Sequence, residues 1–183
     1  MSYLFYKCSS YHIINLYDFD TSQVTTMQRT FQECSNLIYI NFYNSKNNNV
    51  TCMESMFYKC KNLILIDLSY FNTDNVTDMS FMFYGCLNLK EIKRLNILNT
   101  NKVTNMKCMF YECKNLISID LSYFNTDNVT DMSFMFDGCS NLKELNIYIF
   151  KLNEEAEIED IFYGINKKEC KLIVQDEKIR NIY

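Results

Sequence analysis

The 183-residue chain is 48 % hydrophobic and 22 % charged, which supports one packed domain and excludes wholesale disorder. A net charge of −4 argues against nucleic-acid binding, because phosphate backbones bind concentrated basic surfaces. The chain has no apolar run of about 18 residues, no signal peptide in its first eight residues and one histidine, so membrane insertion and His-based metal or catalytic sites are not predicted.

A repeat of about 26 residues organises the chain from its start. In each unit a phenylalanine lies three residues before a cysteine, and a valine lies three residues before a methionine. The repeated cysteines are 26 or 27 residues apart: Cys8, Cys34, Cys60, Cys86, Cys113 and Cys139. So many side-chain types at one period predict a repeat architecture.

Residues 62–86 represent one unit. Ile66 and Leu68 alternate as in a short strand with one buried face. Asn75 is a candidate N-cap for a short helix, and Asn88 is predicted to reverse the chain in the left-handed conformation. The apolar spacing that predicts the helix is that of Val76, Met79, Met82 and Phe83.

Such a unit cannot bury its own apolar face, so stacking into a solenoid is predicted. Seven rungs about 4.8 Å apart would build one parallel sheet roughly 30 Å long. The turns between elements use Asn, Asp, Ser and Thr, which explains three glycines and no proline.

The unit also matches a known family beyond its Leu-x-x-Ile-x-Leu core. Over roughly residues 1–150, the segments 73–79 (Thr-Asp-Asn-Val-Thr-Asp-Met) and 82–86 (Met-Phe-Tyr-Gly-Cys) resemble the BspA-like leucine-rich repeat surface proteins of bacteria and some protists. The resemblance implies a right-handed α/β solenoid with a parallel β-sheet on its concave side and short helices on its convex side. It also implies a cell-surface or secreted location, adhesion or other protein binding, and no catalytic residues.

Two irregularities interrupt the repeat. One extra residue lies in Ile92-Lys93-Arg94-Leu95, where a bulge or lengthened turn is expected and the strand register stays open. The segment from Ser45 to Asn49 departs from the consensus and predicts a looser loop.

The two ends differ. Met1 aligns with Met27, so the first rung is predicted to lack the polar cap that solenoids need. Either the chain is a fragment, or its open N-terminal end packs on a partner, for instance by end-to-end stacking. The solenoid is assigned to residues 1–150. Residues 151–183 are predicted to form a capping rung with a helix ending near Gly164, a strand from Cys170 to Val174 and a charged edge from 176 to 180.

The cysteine column is predicted to fill a small apolar slot in each rung. Metal sites use paired ligands such as Cys-x-x-Cys, and stacked rungs hold Cβ atoms further apart than a disulfide does. Cys52 and Cys108 lie outside the column and are predicted to be more exposed. His12 follows Cys8 by four residues but is predicted to be an ordinary surface residue, and no cofactor is expected.

Strand positions that alternate with the buried ones are the candidate binding residues, because tyrosine favours contact surfaces. An ordinary tyrosine-rich sheet is the alternative. Asp67 and Asp120 flank Lys93-Arg94, so opposite charges are predicted side by side, with a cation site as the weaker alternative. This set, the strand face, comprises Ile13, Asn15, Tyr17, Tyr39, Asn41, Tyr43, Leu65, Asp67, Ser69, Glu91, Lys93, Ser118, Asp120, Ser122, Glu144, Asn146 and Tyr148.

These features predict a non-enzymatic module that binds a protein partner or a host surface component through its concave sheet. The alternative is a purely structural segment, a stalk or scaffold within a longer protein. The first hypothesis requires specific side chains on the strand face, and the second requires only the stacked repeats.

Overall fold

Seven three-residue strands recur along the chain, one in each rung. The computed structural model describes residues 1–44 and 48–183. The predicted loop at Ser45 to Asn49 therefore lies partly outside the described residues, at 45–47. The strands are β1 (Ile13–Asn15), β2 (Tyr39–Asn41), β3 (Leu65–Asp67), β4 (Glu91–Lys93), β5 (Ser118–Asp120), β6 (Glu144–Asn146) and β7 (Lys171–Ile173).

The strands pair in parallel with equivalent residues side by side. Ile40 stands between Ile14 and Ile66, and Leu145 pairs with Ile119. The predicted parallel solenoid is confirmed, but the prediction of one continuous sheet is wrong. The strands form a four-stranded sheet, β1 to β4, and a three-stranded sheet, β5 to β7.

A column of parallel phenylalanine rings runs through the core. Successive ring centroids lie between 5.1 Å, for Phe5 and Phe31, and 6.1 Å, for Phe136 and Phe162, and their planes agree within 11°. The inward strand residues, such as Ile66, pack against this column. The stacked rings are Phe5, Phe31, Phe57, Phe83, Phe110, Phe136 and Phe162.

The predicted short helices are wrong, because consecutive β-turns occupy their place. The N–H groups of Met82 and Tyr84 donate to the carbonyls three residues earlier, at 3.3 and 3.1 Å. The N–H groups of Met79 and Phe83 instead donate to the next rung, to the carbonyls of 105 and 109. Each turn begins two residues after the previous one, and we call this succession of turns the turn ladder. It also places Met79 and Met82 in the core, so its apolar residues have the spacing expected of a helix.

Left-handed residues punctuate the turn ladder at two fixed positions in each rung, four residues apart. In the rung before β4 they are Phe81, with φ of 57°, and Gly85, with φ of 67°. The second position contains every glycine of the chain: Gly85, Gly138 and Gly164. Asn88 is not among the residues with positive φ, so its predicted left-handed conformation is wrong.

Asparagine and aspartate make their turns through side-chain hydrogen bonds, which confirms that they do the turn work. Asp67 Oδ1 accepts the N–H of Ser69 at 2.9 Å, and Asp78 Oδ1 accepts that of Ser80 at 2.8 Å. Asn72 Oδ1 does the same for Asp74. Such Asx turns set the chain direction without requiring glycine.

The extra residue is absorbed where expected. Arg94 adopts φ of 64°, and a 3-10 helix, Leu95–Ile97, follows it. Leu95 and Leu98 still reach the core. The lengthened turn prediction is thus confirmed, and the break between the two sheets falls beside it.

The C-terminal rung ends in a helix, α1 (Glu177–Ile182), where a charged edge was expected. Asp176 caps α1 by accepting the N–H of Ile179, whose side chain is buried. The ring of Tyr183 then meets Phe162 edge-on at 5.2 Å, and its hydroxyl donates to the carbonyl of Cys170. The predicted helix ending near Gly164 is replaced by one more rung of turns.

Replacing Phe83 with alanine is expected to lower the free energy of unfolding by about 3–5 kcal/mol, because it empties a fully buried slot between two rings. Urea denaturation would measure the loss. The exposed control Tyr123→Ala should change stability by less than about 0.5 kcal/mol. Equal losses in the two variants would contradict the central role of the ring column.

Substitutions at the second left-handed position of a rung should change stability in opposite directions, depending on whether glycine is removed or introduced. Gly85→Ala should destabilise by about 1 kcal/mol, the strain of a left-handed side chain. Gly164→Ala should cost more, since its Cβ would lie 3.0 Å from the backbone nitrogen of Gly138. Lys59→Gly, at φ of 56°, should leave stability unchanged or raise it by up to about 1 kcal/mol. Thermal unfolding would rank them, and a destabilised Lys59→Gly would contradict this account.

Candidate functional site

The seventeen strand-face residues all lie on the surface, exposed or half-buried. The alternation of each strand places them outward: in β1 Ile14 is buried, whereas Ile13 and Asn15 are exposed. The structure brings them together as neighbouring columns across each sheet. It does not join all of them into one sheet, because the columns are interrupted between β4 and β5.

One column of the strand face has a structural task. The side-chain oxygens of Asn41, Asp120 and Asn146 each accept the N–H of the residue two positions later, as Asp67 does. The equivalent residue before the break is Lys93, which offers no acceptor. These four residues therefore stabilise the strand ends, whatever else they contact.

The predicted side-by-side placement of opposite charges is found on one side only, and the two residues there form no ion pair. Asp67 lies directly opposite Lys93 in the register of β3 and β4. Asp120 lies across the break, in the other sheet. A second cross-strand pair joins Glu144 to Lys171, with Nζ and Oε2 3.5 Å apart. A basic residue does stand beside Asp67, which disfavours the cation site between the two aspartates.

Immediately after the strands, one or two large apolar side chains per rung are exposed. The rings of Tyr17 and Tyr43 meet edge-on at 6.3 Å, and those of Tyr43 and Tyr70 at 5.3 Å. Tyr17 and Tyr123 are 57 % and 63 % exposed. This apolar stripe comprises Tyr17, Tyr43, Tyr70, Ile97, Tyr123, Tyr148 and Ile149.

Sequence reasoning missed four members of the apolar stripe: Tyr70, Ile97, Tyr123 and Ile149. It followed strict strand alternation and stopped two residues after each strand. The signal was present nonetheless, since each rung holds a large apolar residue at one of two adjacent positions. Near the C-terminal end the stripe borders a depression of about 510 Å³ beside Tyr148 and Ile149.

A cleft separates β4 from β5. It encloses about 380 Å³ and is lined by Lys90, Arg94 and Leu95 on one wall and by Asp120 and Tyr123 on the other. We call this cleft the sheet gap. Because Tyr123 belongs to both, the sheet gap opens onto the apolar stripe.

Five of the six repeated cysteines lie in the core, as predicted, and each of these five thiols donates a hydrogen bond, whereas Cys8 in the first rung is half-buried. Cys86 Sγ lies 3.1 Å from the carbonyl oxygen of Phe57 in the preceding rung, and Cys60 Sγ lies 3.0 Å from that of Phe31. The same contacts recur from Cys34, Cys113 and Cys139. The nine cysteines are free thiols.

Burial raises the pKa of the thiols of Cys60, Cys86, Cys113 and Cys139. It also raises the pKa of Cys108 to about 11. Cys108 is buried, so the prediction that it is exposed is wrong, and Cys52 is half-buried. High thiol pKa values leave few thiolates, which are the nucleophilic and metal-binding form.

The described residues lack two features that other functions would require. Outside 45–47, no three His, Cys, Asp or Glu side chains gather as a metal would require. Over the same residues, no helix has the length and apolarity to cross a membrane. His12 lies exposed beside β1, as predicted.

Known proteins share this sequence pattern and fold. Residues 1–97 and 88–171 match the family described as "Mycoplasma protein of unknown function, DUF285". The crystal structure of the T. pallidum leucine-rich repeat protein TpLRR superposes with a TM-score of 0.61 at 21 % identity, covering 99 % of this chain and 74 % of that chain. No curated protein matches the sequence. At this identity the likeness shows the fold, a leucine-rich repeat solenoid.

The buried thiols predict a loss of stability at alkaline pH. An unfolded thiol ionises near pH 8.5, whereas the buried thiols, with raised pKa, stay protonated, so stability is full below that pH and falls above it. Each thiol contributes up to about 1.4 kcal/mol per pH unit. Urea denaturation at pH 7.5, 9 and 10 under reducing conditions would measure the slope. Cys113→Ala should be less stable at pH 7.5 but show a shallower slope; an unchanged slope would contradict this cause.

Proposed function

Because the chain belongs to the family described as "Mycoplasma protein of unknown function, DUF285" and folds as a leucine-rich repeat solenoid, we propose that it is a protein-interaction scaffold. Its contact surface is formed by the strand face together with the apolar stripe. The apolar stripe carries this proposal, since exposed apolar side chains in contiguous patches mark interaction sites.

The stripe has the chemistry of a protein contact. Tyrosine offers a large, rigid and amphipathic surface, and it is enriched at interface hot spots. The stripe crosses six rungs, which at about 4.8 Å per rung spans roughly 24 Å. A surface of that length accommodates a standard interface of about 800 Å² per partner.

The polar neighbours of the stripe provide a rim. Glu91 and Ser118 are exposed strand-face residues without a role in the Asx turns at the strand ends. An apolar centre bordered by such groups is the usual anatomy of a protein interface. We therefore assign the binding energy to the stripe and the orientation of the partner to the strand face.

The motifs at 73–79 and 82–86 support a finer proposal. They favour a BspA-like surface protein that is displayed or secreted and adheres to a protein or host surface component. The proposal includes no catalytic step, because burial raises the pKa of the four most deeply buried thiols and these thiols already donate to main-chain carbonyls: Cys60, Cys86, Cys113 and Cys139.

A purely structural segment is the second candidate. It is supported by the Asx turns, which engage Asn41, Asp67, Asp120 and Asn146 in stabilising their own strands. Under this alternative the exposed tyrosines pack only on one another, as Tyr43 does on Tyr70.

The double variant Tyr17→Ser, Tyr43→Ser separates the two candidates. Immobilised protein would be exposed to proteins extracted from cell surfaces, and captured proteins quantified by mass spectrometry after cross-linking. We expect the variant to retain at least tenfold less of the proteins that the unaltered chain captures, because it removes two exposed rings of the stripe.

Tyr84→Ser is the matched control. Tyr84 lies in the turn ladder, stacked between Tyr58 and Tyr111 at 4.7 and 4.5 Å. It should capture the same proteins as the unaltered chain. Equal capture by all three proteins, each shown to be folded, would support the structural alternative instead.

A further inference from the structure

The sheet gap leaves main-chain groups unpaired at the middle of the solenoid. In each of four other rungs, the residue before the strand donates its N–H to the equivalent carbonyl of the preceding rung: Ile38, Ile64, Lys90 and Lys143. Within residues 48–183, the N–H of Ile117 makes no such bond to the carbonyl of Lys90. Ile117 is 51 % exposed, and its chain neighbours Leu116 and Ser118 line the sheet gap.

The gap is a wedge that is open only on the strand side. In the turn ladder the two rungs stay in contact, since Phe83 and Phe110 stack at 5.7 Å and the N–H of Met79 donates to the carbonyl of Asn105 at 3.0 Å. On the strand side β4 and β5 belong to separate sheets. The left-handed Arg94 and the 3-10 helix after it hold this arrangement.

The wall formed by β4 is basic. Among the described residues, Lys90, Lys93 and Arg94 take part in no ion pair, whereas seven other lysines do. One acidic side chain, Glu91, stands among them. An incoming carboxylate would therefore meet unpaired cations at this wall, with Asp120 as the acidic residue on the opposite wall.

We propose that the sheet gap binds an extended peptide segment of another polypeptide, which adds as a strand beside β5 and directs a carboxylate toward Lys93 and Arg94. Main-chain hydrogen bonds supply affinity in this mode of recognition, and alternate side chains supply specificity. The proposal rests on the protein-binding function above and adds a second, separate contact to it.

The chain itself shows what such a segment looks like. Beside β4 on its paired side, β3 places Asp67 opposite Lys93 and Ile66 against the core. The ligand should have the same alternation, with an inward aliphatic residue followed by an outward carboxylate. Residues 115–122, Asn-Leu-Ile-Ser-Ile-Asp-Leu-Ser, fit this description and serve as a probe peptide.

The test is a titration of the folded chain with the fluorescent, end-capped probe peptide, followed by anisotropy. Saturable binding with a Kd of about 1 mM or tighter is expected. Ile117→Pro removes the free N–H without breaking an internal bond and should weaken binding about tenfold. Its matched control, Ile117→Ala, keeps the N–H and should bind within about twofold of the unaltered chain.

Two charge changes complete the design. Arg94→Gly keeps the left-handed conformation and removes the cation, so it should weaken the probe several-fold. A probe with lysine in place of its aspartate should bind at least tenfold more weakly than the original. Thermal unfolding would confirm that each variant is folded.

No binding of the probe, or equal binding by Ile117→Pro and Ile117→Ala, would overturn the proposal. Either result would leave the apolar stripe untouched, because the capture experiment tests that surface with Tyr17 and Tyr43, neither of which lines the sheet gap. Conversely, loss of capture by the stripe variant with normal probe binding would show that the two contacts are independent.

Discussion

The hydrogen bond from the cysteine thiol of one rung to the phenylalanine carbonyl of the preceding rung, beside the stacked phenylalanine rings, underlies the whole structure. The carbonyl of Phe57 accepts the N–H of Cys60 within its own rung and the thiol of Cys86 from the next. Above it the ring of Phe57 lies parallel to Phe83, with centroids 5.6 Å apart. A residue small enough for this slot and able to donate a hydrogen bond is needed, which accounts for a cysteine in every rung from Cys34 to Cys139.

The same rung-to-rung bonding explains why turns replace helices. A helix satisfies its interior N–H groups internally, so it offers few to a neighbouring rung. In the turn ladder, alternate N–H groups are free to bond forward, as those of Met79 and Phe83 do. The turn ladder thereby adds a second line of rung-to-rung hydrogen bonds, opposite the strands. Left-handed residues such as Phe81 carry the conformational strain that this backbone requires.

Both proposed contact surfaces lie where the rung-to-rung packing ends, at the exposed stripe, or is interrupted, between β4 and β5. Core positions are used fully within each rung, so the apolar stripe consists of side chains that the repeat does not need for packing. The sheet gap arises from one added residue, which leaves the stack of rings intact but separates β4 from β5. Regular repeats thereby provide rigidity, and the irregular position provides a local site.

The sequence by itself determined the solenoid, the seven strands and the buried columns, because one period repeated across Phe83, Cys86 and Ile66 allows only stacked rungs. It also located the extra residue near Arg94. Tertiary structure decided what local periodicity cannot distinguish: the apolar spacing of Met79 and Met82 suits both a helix and successive turns, and only bonds to the next rung select the turns. An inserted residue can form a bulge within a continuous sheet or divide the sheet in two, and which of these happens likewise depends on both neighbouring rungs.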